Sequence, residues 1–229
     1  MHTNEQLFGE IEACLRHGHA AVWGVADVDF ARERFAPEFD ETDTGLRRAV
    51  VFGVRVLDEV IEQIEDRPTP LYFHHYRQLN FLLDRLGLAV ATILQNHGHR
   101  ALPVPASQTT SRNPMRGLLS HKKLAWAAGL GWPGRNNLLV TPQFGARTRL
   151  ASVLTDALFQ AGAPLEADCG DCRECAKVCP AGAIHESAAD FDLPACEELL
   201  GSFARLPFIG QHICGMCVKA CRGRRGDCH

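Results

Sequence analysis

The segment from Cys169 to Pro180 reads CGDCRECAKVCP, and no other stretch restricts this chain as strongly. Three cysteines at successive two-residue gaps, a fourth after three further residues and then a proline form the CxxCxxCxxxCP run of bacterial-type iron–sulfur proteins. Cys169, Cys172 and Cys175 have the spacing to wrap thiolates around three corners of one [4Fe–4S] cube. Cys179 is carried past that cube and turned by Pro180 towards a second one. Such a run requires more ligands downstream, and Cys196 is followed by Cys214, Cys217 and Cys221 in CGMCVKAC. The crossing rule of two-cluster ferredoxins assigns Cys169, Cys172, Cys175 and Cys221 to a first cluster, and Cys179, Cys196, Cys214 and Cys217 to a second.

Zinc and disulfides are the competing uses of cysteine. Structural zinc takes two separated CxxC pairs, whereas three successive two-residue gaps crowd one tetrahedral ion and leave the fourth cysteine and the CP turn without a role. Disulfide frameworks belong to small secreted chains, and no charged start followed by an apolar signal segment is present. Cys14 reads as a core thiol on a helix and Cys228 as a residue of a loose tail.

All the cysteines but Cys14 lie in the last third of the 229 residues. This asymmetry sets a boundary in AGAPLEAD, Ala161 to Asp168, with one domain over residues 1–164 and a small one over 165–229. An apolar fraction of 46% gives the first part material for its own core. The formal charge of −3 and the absence of a long apolar run give no sign of a membrane span, so the chain is expected to be soluble. Arg222, Arg224 and Arg225 read as a solvated tail. Clusters and free thiolates persist in reducing conditions, which points to the cytoplasm.

Residues 4–17 place Leu7, Ile11, Cys14 and Leu15 at helical spacing. AAVWGVADVD and Arg47 to Val56 read as strands, LDEVIEQIEDRP as a helix halted by Pro68, and LYFHHYRQLNFLLDRLGLAVATILQNHGH as a long amphipathic helix. Strand–helix alternation of this kind favours an α/β core. The start of the long helix gathers Tyr72, His74, His75, Tyr76 and Arg77, a density of polar aromatics that marks either a site or a wet interface. HRALPVPAS reads as a short strand, followed by the breaker-rich QTTSRNPMRG, a composition typical of active-site lids. GLGWPG matches GxGxxG, but a helix precedes it and a strand follows, the reverse of a dinucleotide-binding fingerprint.

The segment AGLGWPGRNNLLVTPQFGARTRLASVLTD, taken with CGDCRECAKVCPAGAI, the lone Cys196 and CGMCVKAC, resembles the epoxyqueuosine reductase family and, more distantly, the reductive dehalogenases. The likeness is dense from Ser107 to Cys221. The resemblance implies an α/β (α+β) chain: a nitroreductase-like, cobalamin-binding domain followed by a small ferredoxin-like domain with two [4Fe–4S] clusters. It implies that the eight cysteines are ligands. It also implies that Gly129, Gly131, Trp132, Gly134 and Arg135 lie at a cobalamin, where the family has AGLGWxGK with lysine for Arg135.

This chain has VPASQTT where the family carries an acidic proton donor in a VDSAP-like stretch, and Arg222 where a proline follows the last ligand. The family's helical-repeat tail, used on tRNA, is absent, so a tRNA substrate is not expected. His74, His75, Tyr76, Ser107 and His121 are the remaining proton-donor candidates. Together these features imply a cobalamin-dependent reductase that takes electrons from a ferredoxin- or flavodoxin-like donor and acts on a small molecule. The alternative is a non-catalytic electron-transfer or corrinoid-reducing partner protein. Because Cys228 has no place in either set of four, Cys228→Ser should leave the iron content of the purified protein unchanged, and a drop on metal analysis would show the ligand assignment to be wrong.

Overall fold

The computed structural model describes residues 4–35, 45–112 and 115–223. By packing, the chain forms two units, each assembled from three stretches: residues 1–54, 80–130 and 149–165 in the first, and 55–79, 131–148 and 166–229 in the second.

The first unit is a mixed α/β fold around a four-stranded sheet. Helix α1 (Asn4–His17) buries Leu7, Ile11 and Leu15 on one face, the periodicity the sequence shows. Strand β1 (Val22–Asp27) pairs antiparallel with β2 (Arg48–Arg55), in which residues 49–54 are all buried. The sheet order is β1-β2-β8-β3, with β3 (Ala101–Val104) antiparallel to β8 (Thr148–Thr155). The strand read over residues 20–29 ends earlier than expected, because the Asp27 carboxylate accepts from Phe30 N at 3.0 Å and starts α2 (Val28–Phe35). The LDEVIEQIEDRP helix is likewise shorter than expected, with only α3 (Asp58–Ile61) helical. The carbonyls of Glu62 and Ile64, which a longer helix would use internally, instead accept from Lys219 Nζ at 2.9 and 2.7 Å. A tertiary contact has overridden local propensity here.

Helix α4 (Pro70–Asn96) is the expected long helix and passes from the second unit into the first. Leu83, Leu86, Val90 and Leu94 are buried along it, and a methyl at Gly87 would stand 3.8 Å from the Phe52 ring. The backbone of α4 therefore rides close over the sheet. Truncating a buried ring such as Phe52 costs about 3–5 kcal/mol. The QTTSRNPMRG stretch contains two short paired strands, β4 (Ser111–Arg112) and β5 (Met115–Arg116). Helix α5 (His121–Ala127) follows and buries Leu124 and Ala125.

His121, at the start of α5, ties three pieces of this unit together. Its Nε2 donates to the Pro105 carbonyl at 3.0 Å, and its Nδ1 accepts from the Ser152 hydroxyl on β8 at 2.9 Å. This network assigns the neutral tautomer. Alongside it, the Asp84 carboxylate of α4 accepts from Ala106 N at 2.9 Å. Although part of His121 reaches solvent, its ring is surrounded by protein atoms. Burial pushes the imidazole down from 6.5 to about 4, with the nearby Arg149 adding to the effect against the Pro105 carbonyl and Asp84.

The unfolded chain therefore binds this proton more readily than the folded one. Stability should be full above about pH 6.5 and fall as the pH is lowered towards 4, by up to roughly 3 kcal/mol. Denaturant titrations between pH 7 and pH 4.5 check this against His121→Gln. The variant should be about 1 kcal/mol less stable at pH 7 but show a flatter pH dependence.

Candidate redox site

The second unit holds the two cysteine segments on short helices. Cys175 lies in α6 (Glu174–Lys177) and Cys217 in α8 (Met216–Ala220), and these two helices pack against each other. Cys196 lies in α7 (Leu193–Ala204), whose N-cap Asp192 accepts from Ala195 N at 3.0 Å. Gly215, with φ +93°, begins α8 where a side chain would strike Ile64 at 2.4 Å and the Tyr72 ring at 2.9 Å. Only glycine allows the second cysteine segment to sit this close to the foot of α4.

The thiols fall into two groups according to which ones disfavour ionisation of which. Burial pushes Cys175 up to about 11, and the thiols of Cys221, Cys169 and Cys172 push it further in the same direction. Cys221 is raised by burial and then by Cys169 and Cys172. In the other group, burial raises Cys214 to about 11 with Cys196 and Cys179 adding to it. Burial raises Cys217 most of all, followed by Cys214, Cys196, Cys175 and Cys179. Cys196 is raised by burial, Cys179 and the Glu197 carboxylate. Cys179 and Cys175, four residues apart, thus stand in different groups. Among the described residues no three His, Cys, Asp or Glu side chains form a site for a metal ion. A single tetrahedral ion needs all its sulfurs within about 2.3 Å of one point, whereas the corners of a polynuclear cube hold them further apart. Cys228 lies outside the described residues, as do Arg224 and Arg225.

A cavity of about 1060 Å³ opens beside the first group and is lined by Cys169, Cys172, Cys175 and Cys221 together with Trp132, Asn136, Phe144 and Arg147. Its wall is a hairpin of β6 (Trp132–Pro133) and β7 (Leu139–Val140), with Trp132 opposite Val140. Of the residues expected at a cobalamin, Trp132 and Arg135 line this cavity and Gly129, Gly131 and Gly134 do not. The glycines have a local reason to be glycine. A methyl on Gly131 would lie 2.2 Å from Val140 O, and one on Gly134 2.6 Å from Asn136 Oδ1. Gly129, in the first unit, has φ +76° and would meet Ala163 O at 2.4 Å. The backbone that they approach closely is the protein's own.

Arg135 is held against the first cysteine loop. Its Nε donates to Cys172 O at 3.1 Å and its Nη2 to Gly170 O at 2.6 Å. On the other side of the cavity Arg147, with its side chain 4% exposed, donates to Asp58 at 2.8 Å, Glu62 at 2.7 Å and the Lys219 carbonyl. Ala146 N donates to Cys221 O at 3.3 Å, so this ion network and the last thiol of the first group share one stretch of backbone. The Arg55 guanidinium lies over the Phe144 ring at 5.2 Å. Arg55, Asp58, Gln143, Phe144 and Arg147 were not singled out in the sequence, where only the arginine-rich FGARTR hinted at them.

None of the five proton-donor candidates lines the cavity. His74 is exposed. His75 Nε2 accepts from Leu57 N at 3.1 Å, and burial, then the neighbouring His74, lowers its pKa. The Tyr76 ring meets that of Tyr72 edge-on at 6.4 Å. Ser107 is exposed in the first unit, where His121 forms the network already described.

No family model matches the chain. Over 68 residues, 30% of the chain, it is 38% identical to an epoxyqueuosine reductase of Bacillus anthracis, of which this covers 18%. Over 162 residues, 69% of the chain, it is 31% identical to a tetrachloroethene reductive dehalogenase of Desulfitobacterium hafniense, of which this covers 27%. The chain thus spans less than a third of either relative. Among solved structures, a catabolic reductive dehalogenase in complex with 3-bromo-4-hydroxybenzoic acid superposes over 92% of this chain and 31% of its own, with a TM-score of 0.71 at 19% identity. An epoxyqueuosine reductase from Streptococcus thermophilus superposes over 96% of this chain and 66% of its own, with a TM-score of 0.59 at 17% identity.

The packing of Gly145 can be tested directly. It has φ +59°, and an added methyl would lie 2.3 Å from Cys221 O, whereas one on Gly9 meets nothing within 4 Å. Gly145→Ala should lower stability by more than about 2 kcal/mol, and Gly9→Ala, inside α1, should raise it by about 0.5–1 kcal/mol, on denaturant titration of both. By sequence over these segments the chain is similar to epoxyqueuosine reductases and, over a longer stretch, to reductive dehalogenases, and it shares a fold with both over most of its length.

Proposed function

We propose that the second unit binds two [4Fe–4S] clusters, through Cys169, Cys172, Cys175 and Cys221 and through Cys179, Cys196, Cys214 and Cys217, and that the protein is a corrinoid-dependent reductase of a small substrate. The observation that carries this reading is that Cys169, Cys172, Cys175 and Cys221, drawn from both cysteine segments, line one cavity of about 1060 Å³, whereas Cys179, Cys196, Cys214 and Cys217 do not. Cys175, Cys196, Cys214, Cys217 and Cys221, whose pKa values burial and neighbouring thiols raise, are poor free sulfhydryls and good donors for cationic metal, whose binding releases their protons. Segment 165–229 is then the ferredoxin-like double-cluster domain, and residues 1–164 provide the platform and the aromatic wall.

When bound, the clusters supply one-electron transfer and a corrinoid supplies a reducible cobalt centre. This chain's own residues do the rest. Trp132 gives the cavity a flat apolar side, Asn136 and Gln143 give it amide donors, and the Arg147 network keeps Cys221 at its edge. One reductive dehalogenase of this fold is described as B12-dependent, and an epoxyqueuosine reductase of this fold has been solved with a tRNA stem loop. For the present chain a small substrate is the reading adopted, with electrons from a ferredoxin- or flavodoxin-like donor in a reducing, cytoplasmic setting. No helix among the described residues is long and apolar enough to cross a membrane.

A second reading, a non-catalytic electron carrier or corrinoid-reducing partner, draws on one observation: none of the candidate proton donors lines the cavity. Anaerobic purification with cobalamin supplied, followed by metal analysis and electron-paramagnetic-resonance spectroscopy, separates the two. About eight irons and one cobalt per chain are expected for the reductase. Eight irons without cobalt after reconstitution would leave the electron carrier, and absence of iron would remove both.

A further inference from the structure

Arg135 stands where the family resemblance has lysine, in a segment otherwise associated with the corrinoid. Its guanidinium, however, is committed to the first cysteine loop. Two of its nitrogens donate to carbonyls of CGDC, to Cys172 O at 3.1 Å and to Gly170 O at 2.6 Å. The side chain is 11% exposed, so it is held in place and shielded from screening by solvent. Gly170 has φ +50° and nothing within 4 Å of its missing side chain, so it is free to turn its carbonyl towards the arginine. The planar fork of a guanidinium can reach two carbonyls of one loop in this way, which a lysine ammonium cannot reproduce.

The other cations at this cavity have close carboxylate partners. Arg147 pairs with Asp58 at 2.8 Å and Glu62 at 2.7 Å, Lys177 with Glu174 at 2.6 Å, and Arg222 with Glu62 at 2.6 Å. Arg173 pairs with Glu186 at 2.5 Å. Among the described residues the only carboxylate given to Arg135 is that same Glu186, at 3.5 Å and already engaged by Arg173. Among the described residues Arg135 therefore has the longest carboxylate pairing of the cations in the wall that carries Cys169, Cys172 and Cys175.

We propose that Arg135 is a positioning and potential-setting residue for the first iron–sulfur cluster: its fork fixes the CGDC loop, and its charge makes that cluster easier to reduce than the second. The inference rests on the two-cluster reading above. One electron added to a cube adds one negative charge, with no bond formed or broken, and a fixed cation beside the ligand loop stabilises the reduced form.

The test is a dithionite titration of the whole protein at controlled potentials, followed by electron-paramagnetic resonance, in wild type, Arg135→Gln, Arg135→Lys and Glu186→Gln. The first cluster's signal is identified as the one lost in Cys169→Ser but kept in Cys196→Ser. Arg135→Gln should lower the reduced-to-oxidised ratio of the first cluster about tenfold at fixed potential, about 59 mV for a one-electron couple, and leave the second unmoved. Arg135→Lys, which keeps the charge but not the fork, should stay within about threefold of wild type. Glu186→Gln, which leaves the Arg135 bonds to the CGDC carbonyls in place but removes the carboxylate shared by Arg135 and Arg173, should shift the ratio about threefold the other way.

If Arg135→Gln keeps its iron and neither signal moves, the proposal is wrong. If Arg135→Gln loses its iron, Glu186→Gln decides: an unchanged first cluster overturns the proposal, and the predicted upward shift supports it. A wild-type protein that binds no iron would instead overturn the two-cluster reading itself.

Discussion

Arg147 is the interaction on which the second unit depends. A guanidinium almost wholly removed from water must meet compensating charge, and it does so with two carboxylates from the α3 turn and a carbonyl from α8. Arg147 and these partners lie on three separate stretches of the chain, so satisfying one buried charge brings together segments that no local propensity would join. Lys219 adds two further bonds to the carbonyls of Glu62 and Ile64. Removing its carboxylate partners would leave the Arg147 guanidinium as a buried, uncompensated charge, which costs several kcal/mol. The backbone between Gly145 and Arg147 is fixed by this network, and Cys221 is hydrogen-bonded to that backbone. The last thiol of the first group is therefore located by electrostatics some distance in sequence from any cysteine.

The close-approach glycines show a different logic. A run such as GLGWPG invites the view that a large ligand lies against bare backbone, yet each of its three described contacts is with protein atoms. The hairpin has to fold back tightly to present Trp132 to the cavity while burying all but 3% of it. Glycine at Gly131 and Gly134 is what makes that fold possible. The residues contributing surface to the cavity are their neighbours Trp132 and Arg135, the latter hydrogen-bonded to the CGDC loop.

Much of this was legible in the sequence because the signals were local. The helix of Leu7, Ile11 and Leu15, the buried strand of residues 49–54 and the long helix through Leu83 and Val90 follow from periodicity alone. The two ligand sets proposed for the thiols rest on cysteine spacing, since a CP turn that carries Cys179 away from its neighbours is itself a local event. What sequence could not disclose was set by distant partners. The α3 helix is cut short by a lysine that lies far along the chain, and β1 stops at Asp27 because its carboxylate caps the next helix. The cavity wall was missed for the same reason: Phe144 and Arg147 acquire meaning only from Arg55, Asp58 and Glu62, which arrive from another stretch.

The interleaving of the thiols governs the order in which this protein can be completed. On the proposed assignment Cys169, Cys172 and Cys175 leave the ribosome together, but their fourth companion is Cys221, beyond every other member of either set. Cys179 and Cys196 must in turn await Cys214 and Cys217. A nascent chain that has emerged as far as Ala204 displays five of the eight thiols without one finished quartet. Throughout that interval these thiols are open to oxidation and to stray metal. If the eight thiols hold the proposed clusters, the protein needs reducing conditions already during its synthesis.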